Sequence, residues 1–149
     1  MTDDLLEEDT AAPPAGFMPM QWSRGFGRQV GPFYHRSEGG ENFTRAFLVA
    51  EHHTNGMMNC HGGMLMAFAD TVFGHPISIR CPQHYWVTVR MLTDFLSGAR
   101  LGEWVFGTSH IVGQDGDMFT VEGRIFTGER IVMTGTGIFK TLGPRPERR

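Results

Sequence analysis

The sequence predicts an α+β domain in which one long apolar helix lies in a curved antiparallel sheet. Three observations predict it. Residues 62–74 read as a helix that is apolar almost all round, with a single ionisable side chain, Asp70; such a helix has to be covered on most sides. Two strand-like runs precede it and four follow it, with side chains that alternate as on half-buried strands. Gly123, Gly135 and Gly137 fall on the apolar phase of their strands, and a glycine inside a strand marks close approach by another part of the chain.

Taken in order, the first ten residues, MTDDLLEEDT, are acidic and contain no Lys or Arg. They lack the basic start and apolar run of a secretory signal. TAAPPAG then reads as an extended leader. GPFYHR and FTRAFLVAE form the first two strands, joined across the turn signal SEGGEN. HHTNGMMNCHGG is a loop, and the helix that follows is expected to end at GHP, where Gly74 and Pro76 stop it. In WVTVRMLTDFL, Val87, Val89, Met91 and Phe95 share one face and Thr88, Arg90 and Asp94 the other. GEWVFGTSHIV leads through the turn GQDGD into FTVEGRIF, with Phe119, Val121 and Ile125 inward. TGER gives a two-residue hairpin turn, and IVMTGTGIF closes the sheet with Ile131, Met133 and Phe139 on one side. The expected organisation is a leader over residues 1–15, one domain over 16–142 and a solvated tail over 143–149.

Composition narrows the function. A chain of 149 residues suits one domain and buries roughly 68–70% of its unfolded surface, so it needs neither disulfide nor metal to fold. The net charge of −3 supplies no basic stripe for nucleic acid. No stretch approaches the ~18 apolar residues of a membrane span, so no membrane partner is expected. Cys60 and Cys81 have no C-x-x-C spacing and read as reduced thiols of a cytoplasmic protein. His52, His53, Cys60 and His61 lie within ten residues of one another. Metal ligation is not expected there, because adjacent histidines on a strand point to opposite faces and no zinc signature is present.

The stretch that carries chemistry is NGMMNCHGG-x6-D. Asn55, His61, Gly62, Gly63 and Asp70 occupy it without a gap. This spacing resembles the hotdog-fold thioesterases, in particular the PaaI-like, phenylacetate-pathway type. Thr88, in VTVRMLTDFLSGARLGE, matches a Ser/Thr position that this family uses beside its catalytic carboxylate. The resemblance covers about residues 43–139. It implies a hotdog fold, hydrolysis of an acyl-CoA, coenzyme A as part of the substrate rather than a cofactor, and a homodimer with shared active sites, itself pairing into a homotetramer.

The residues can be read beside that resemblance. Gly62 and Gly63 open the helix, where the first amides have no internal partner and carry the positive end of the macrodipole. They suit a developing oxyanion, or they simply close a loop. Asp70 is the base or nucleophile of the resemblance, or a buried carboxylate held by local hydrogen bonds. Asn55 either holds water or the thioester oxygen, or is a turn residue of the common Asn-Gly type. His61 is a second donor or orients the loop. Thr88 can hydrogen-bond water or Asp70, although its phase places it opposite Val87 and Val89.

Met64, Met66, Phe68, Phe73 and Ile77 are expected to line an acyl pocket for aromatic or medium-chain groups. Arg90, Arg100 and Arg124 are candidates for the coenzyme A phosphates. Two alternatives remain at this point, a non-catalytic acyl-CoA-binding protein and a hotdog hydratase/dehydratase. One geometric expectation is independent of either. Gly62 and Asp70 are eight residues apart, about 12 Å along a helix at 1.5 Å per residue, so both can act on one carbonyl only if they come from two chains.

Overall fold

The computed structural model describes residues 11–128 and 130–146. The first ten residues of the expected leader, Glu129 of the expected turn and residues 147–149 of the expected tail lie outside them. The elements are β1 (Met18–Pro19), α1 (Phe26–Val30), β2 (Tyr34–Gly39), β3 (Asn42–Leu48), a 3-10 turn (Glu51–His53), α2 (Gly62–Arg80), β4 (His84–Phe95), β5 (Trp104–Asp115), β6 (Met118–Thr127) and β7 (Arg130–Pro144). The strands form one antiparallel sheet in the order β1-β2-β3-β5-β6-β7-β4. Helix α2 packs across β4, β5, β6 and β7. This is the hotdog architecture that the sequence predicts.

Close approach is what the inner-face glycines supply. Gly123 and Gly135 pair across β6 and β7. A Cβ on Gly123 would stand 2.3 Å from the Phe73 ring, and one on Gly135 would stand 3.0 Å from it. The bare backbone pair is therefore the seat of a helical phenylalanine. Phe68, Phe73, Val72 and Ile77 are fully buried in this way, each contributing roughly 1.5–3 kcal/mol of hydrophobic stabilisation.

Helix α2 does not end at GHP. It runs on through Gly74 and Pro76 to Arg80. Pro76 has no N–H to give to the carbonyl of Val72, but the Ser109 hydroxyl of β5 donates to that carbonyl at 2.8 Å. The sheet thus supplies the bond the proline withdraws, and the helix continues. Gly74 lies under the Trp86 indole, where a Cβ would come within 2.1 Å of the ring; the glycine serves packing and not termination. The end comes a turn later, where the Cys81 N–H closes on Ile77 and Pro82 follows.

The face of β4 also differs from the alternation. The pairing with β7 skips a residue between Thr88 and Arg90, so Val89 is bulged and the phase changes there. Trp86, Thr88, Met91 and Thr93 reach the helix side: Trp86 sits over Gly74, Thr88 bonds Asp70, Met91 packs on the core and Thr93 reaches the Met66 sulfur. Val87, Val89 and Phe95 remain 40%, 52% and 53% exposed. A second skip between Ile125 and Phe126 opposes Ile131 to Phe126 and Met133 to Ile125, so Ile131 parts from the inward face of Met133 and Phe139. The hairpin itself follows expectation, with Thr127 opposite Arg130 and Gly128 at φ +44°. Strand β7 reaches Pro144, which pairs with His84, so two residues of the expected tail belong to the sheet.

Candidate active site

Asp70 sits in the middle of α2, half-buried, with its side chain towards β4. The Thr88 hydroxyl donates to its Oδ1 at 2.5 Å. The bulge at Val89 explains why Thr88 faces its own helix rather than away from it. Asp70 Oδ2 has no protein hydrogen-bond partner among the described residues. A short, single-sided hydrogen bond of this kind fixes the carboxylate and leaves one oxygen free to act.

Asp70 borders a cavity of about 290 Å³ whose walls include Trp22, Phe26, Val30, Phe33 and Ala67. All five are apolar, and Arg24 also borders the space. Periodicity assigns residues 17–30 no element and no role. The available signal was the density of Phe, Met and Trp in FMPMQWSRGF, far too apolar for a solvated lead-in. These residues form β1, α1 and the chain between them, and they cover the helix face that the sheet leaves open.

Eight residues earlier, the start of α2 is built by the loop before it. Asn55 is the centre of that loop: its Oδ1 accepts from the N–H groups of Met57 (2.9 Å) and Asn59 (3.3 Å). Its backbone N–H donates to the carbonyl of Asn59, and its own carbonyl accepts from Met58. The turn reading of Asn55 is therefore realised, and only its Nδ2 is left for anything else. His61 caps the helix, its Nδ1 accepting from the Gly63 N–H at 2.8 Å. That bond occupies the Gly63 amide. The Gly62 N–H has no protein partner among the described residues, and the ring of Phe95 stands 3.6 Å from where its Cβ would be. The Gly62 amide, with an aromatic wall beside it, is what the helix start offers to a carbonyl.

The remaining expected residues scatter. Phe73 is fully buried against Gly123 and Gly135, in the core and not on a cavity wall, as are Phe68 and Ile77; the sheet's inner glycines draw these side chains in. Arg90 lies on β4 beyond the bulge and is exposed. Arg100 is exposed and bridges to Asn59, beside the loop that presents Gly62. Arg124 stacks its guanidinium 5.0 Å from the Phe126 ring centre. His52 and His53 occupy the 3-10 turn with rings 3.9 Å apart rather than opposed across a strand. Both His53 nitrogens are engaged, with Ala50 and Val30. Among the described residues no three His, Cys, Asp or Glu side chains converge, and no helix is long and apolar enough to cross a membrane. Cys60 and Cys81 are free thiols, and burial pushes Cys60 up to about 12.

Comparison with known proteins places this arrangement. Among solved structures, the PaaI protein from the phenylacetic acid degradation operon of E. coli superposes with a TM-score of 0.71 at 21% identity, over 79% of this chain and 84% of that one. A Streptococcus pneumoniae protein titled a thioesterase, solved with coenzyme A, superposes with a TM-score of 0.66 at 22% identity, over 75% and 91%. Both likenesses concern the fold. A Pseudomonas aeruginosa protein named as an esterase is 31% identical over 127 residues, which cover 85% of this chain and 95% of the relative. Residues 57–134, which hold Gly62, Asp70 and Thr88, match the family described as the Thioesterase superfamily. The chain therefore belongs to the thioesterase superfamily, enzymes that hydrolyse thioesters.

Proposed function

We propose that the thioester cleaved is that of an aryl- or medium-chain acyl-CoA, with Asp70 as base or nucleophile. The observation that carries this reading is the carboxylate of Asp70, fixed by Thr88 at 2.5 Å on the border of an apolar cavity. The cavity walls of Trp22, Phe26 and Phe33 suit an aromatic or short hydrocarbon group. In the general-base form, Asp70 takes a proton from water as the water oxygen bonds to the carbonyl carbon. In the nucleophilic form, Oδ2 makes that bond itself and water later hydrolyses the mixed anhydride. Either way the carbonyl oxygen passes through an oxyanion and the carbon–sulfur bond breaks; the leaving thiolate of coenzyme A takes the proton held by Asp70 in the first form and a proton from solvent in the second.

The oxyanion is held by the Gly62 amide of a second copy of the chain. Two features support a dimer of that kind. Gly62 and Asp70 of one chain are about 12 Å apart along α2, too far to share a carbonyl. Strand β4 ends the sheet with a twelve-residue open edge, on which Val89, Leu92 and Phe95 are each more than half exposed. Such an edge calls for a partner. A two-fold axis near Met66, midway between residues 62 and 70, brings each helix start to the other chain's carboxylate. Arg100, beside the Gly62 loop, is then the better placed of the expected arginines for a coenzyme A phosphate. Pairing of two such dimers, and residence in the cytoplasm, belong to the same reading.

A hydrolysis panel of acetyl-, hexanoyl-, phenylacetyl- and palmitoyl-CoA tests the substrate class. Hexanoyl- and phenylacetyl-CoA should exceed acetyl-CoA in kcat/KM, since each buried methylene is worth about 0.8 kcal/mol. Equal rates on all four would remove the pocket assignment. Tight binding with no turnover would restore the alternative of an acyl-CoA-binding protein.

A further inference from the structure

Among the described residues, one buried guanidinium has no carboxylate partner, and Trp22 borders both its cleft and the Asp70 cavity. Arg45 of β3 is only 8% exposed. Its Nη1 donates to the Thr71 carbonyl at 2.5 Å, its Nη2 contacts His75 Nδ1 at 2.8 Å and its Nε contacts His35 Nδ1 at 3.4 Å. Arginine has no acceptor, so both imidazoles must present lone pairs at Nδ1 and carry their protons on Nε2. Neither Nε2 has a hydrogen bond, and neither is a buried unsatisfied atom among the described residues, so both N–H groups reach solvent. Three of the five guanidinium N–H bonds are spent, leaving one on each Nη. The assembly therefore offers only donors: a cation and two imidazole N–H groups.

The cluster borders a cleft of about 570 Å³. Arg36 also borders it, Met18, Met20 and Trp22 form an apolar wall, and among the described residues no Asp or Glu lines it. Burial lowers Arg45 to about 10, which leaves it charged at neutral pH in a site where charge is disfavoured. His75 is held down to about 3 by its burial and by Arg45, and His35 is lowered for the same two reasons, so neither adds a competing charge. A buried charge without a partner costs several kcal/mol in general, and an anion is the missing complement.

We propose that this cleft binds an organic carboxylate, its charge on Arg45 and its hydrocarbon body against Met18, Met20 and Trp22. A phosphate would gain from the cation but not from the apolar wall. Trp22 and the Thr71 carbonyl tie the cleft to the Asp70 cavity, because Trp22 borders both spaces and Thr71 follows Asp70 on α2. The carboxylate then comes from one of two sources related to the reaction: a distal carboxylate on the acyl group, or the free acid released by hydrolysis. Only this choice of source rests on the thioesterase reading.

The test combines binding and turnover. Hexanoate, adipate and inorganic phosphate are titrated against the full chain by calorimetry, alongside Arg45→Met and Met18→Glu. Met18 is 69% exposed, so its variant folds and adds a repelling carboxylate to the cleft even where Arg45→Met does not fold. The expected result is that hexanoate or adipate binds more tightly than phosphate and that both variants weaken binding by about tenfold, roughly 1.4 kcal/mol. If adipyl-CoA is hydrolysed at least as well as hexanoyl-CoA and Arg45→Met lowers only adipyl-CoA turnover, the source is the acyl group. If hexanoate inhibits the wild type and not Arg45→Met, the source is the product. No carboxylate binding, or binding that Met18→Glu leaves unchanged, overturns the proposal. Carboxylate binding without turnover of either ester leaves it standing and removes the acyl-CoA reading instead.

Discussion

Asp70 and Thr88 form the smallest unit of the account. One hydroxyl fixes one carboxylate oxygen, and among the described residues the other oxygen has no partner. Asp70→Asn is nearly isosteric and keeps a hydrogen-bonding group opposite Thr88. It should lower kcat by about 10²–10⁴-fold, the usual contribution of a positioned acid–base group, with little change in Tm. Wild-type turnover of hexanoyl-CoA by the Asn variant would make Asp70 a structural residue. Of this pair, Asp70 was legible in the sequence because a lone carboxylate in an apolar helix stands out. The orientation of Thr88 was not, because strict alternation has no place for the bulge at Val89. Asn55 shows the reverse limit: its Asn-Gly context pointed to a turn, and its side chain does tie the loop.

At the scale of elements, α2 persists through a proline because β5 answers it. Ser109→Ala leaves the Val72 carbonyl buried and unpaired, which should cost about 1–3 kcal/mol, read as a lowered denaturation midpoint. An unchanged midpoint would mean that the helix needs no help from the sheet. The stop expected at Gly74 and Pro76 failed because both signals are local, whereas Ser109 and Trp86 meet them from the sheet. The same helix carries a pH-sensitive contact. His75 faces Arg45 and His35, and its folded value of about 3 lies below the usual 6.5. The unfolded chain therefore binds a proton between these values that the folded chain refuses. Stability from this site is complete above about pH 6.5 and is lost progressively as pH falls towards 3. A series of thermal melts should show Tm falling over that window, and His75→Asn should flatten the slope. An identical slope in the variant would place the acid sensitivity elsewhere.

The whole molecule is where function is decided, because in the proposed reading two chains complete each site. The long helix, six of the seven strands and the inner glycines were visible in the sequence, since periodicity and glycine placement report which face is covered. The cover supplied by residues 17–30 was not visible: short irregular segments follow no period, and their apolar side chains show their purpose only against α2. The central claim is that Asp70 of one chain acts on a carbonyl held by the Gly62 amide of another. Subunit mixing tests it most directly. Asp70→Asn removes the carboxylate, and Asn55→Ala unties the loop that presents Gly62. The two variants are prepared as separate inactive proteins, then unfolded and refolded together. Each heterodimer gathers both lesions in one site and leaves the other site intact. Random pairing makes about half of the dimers mixed, so activity on hexanoyl-CoA should return to about a quarter of the wild-type value, with neither parent active alone. No recovery in a mixture shown to contain heterodimers would place the entire site within one chain and contradict the account.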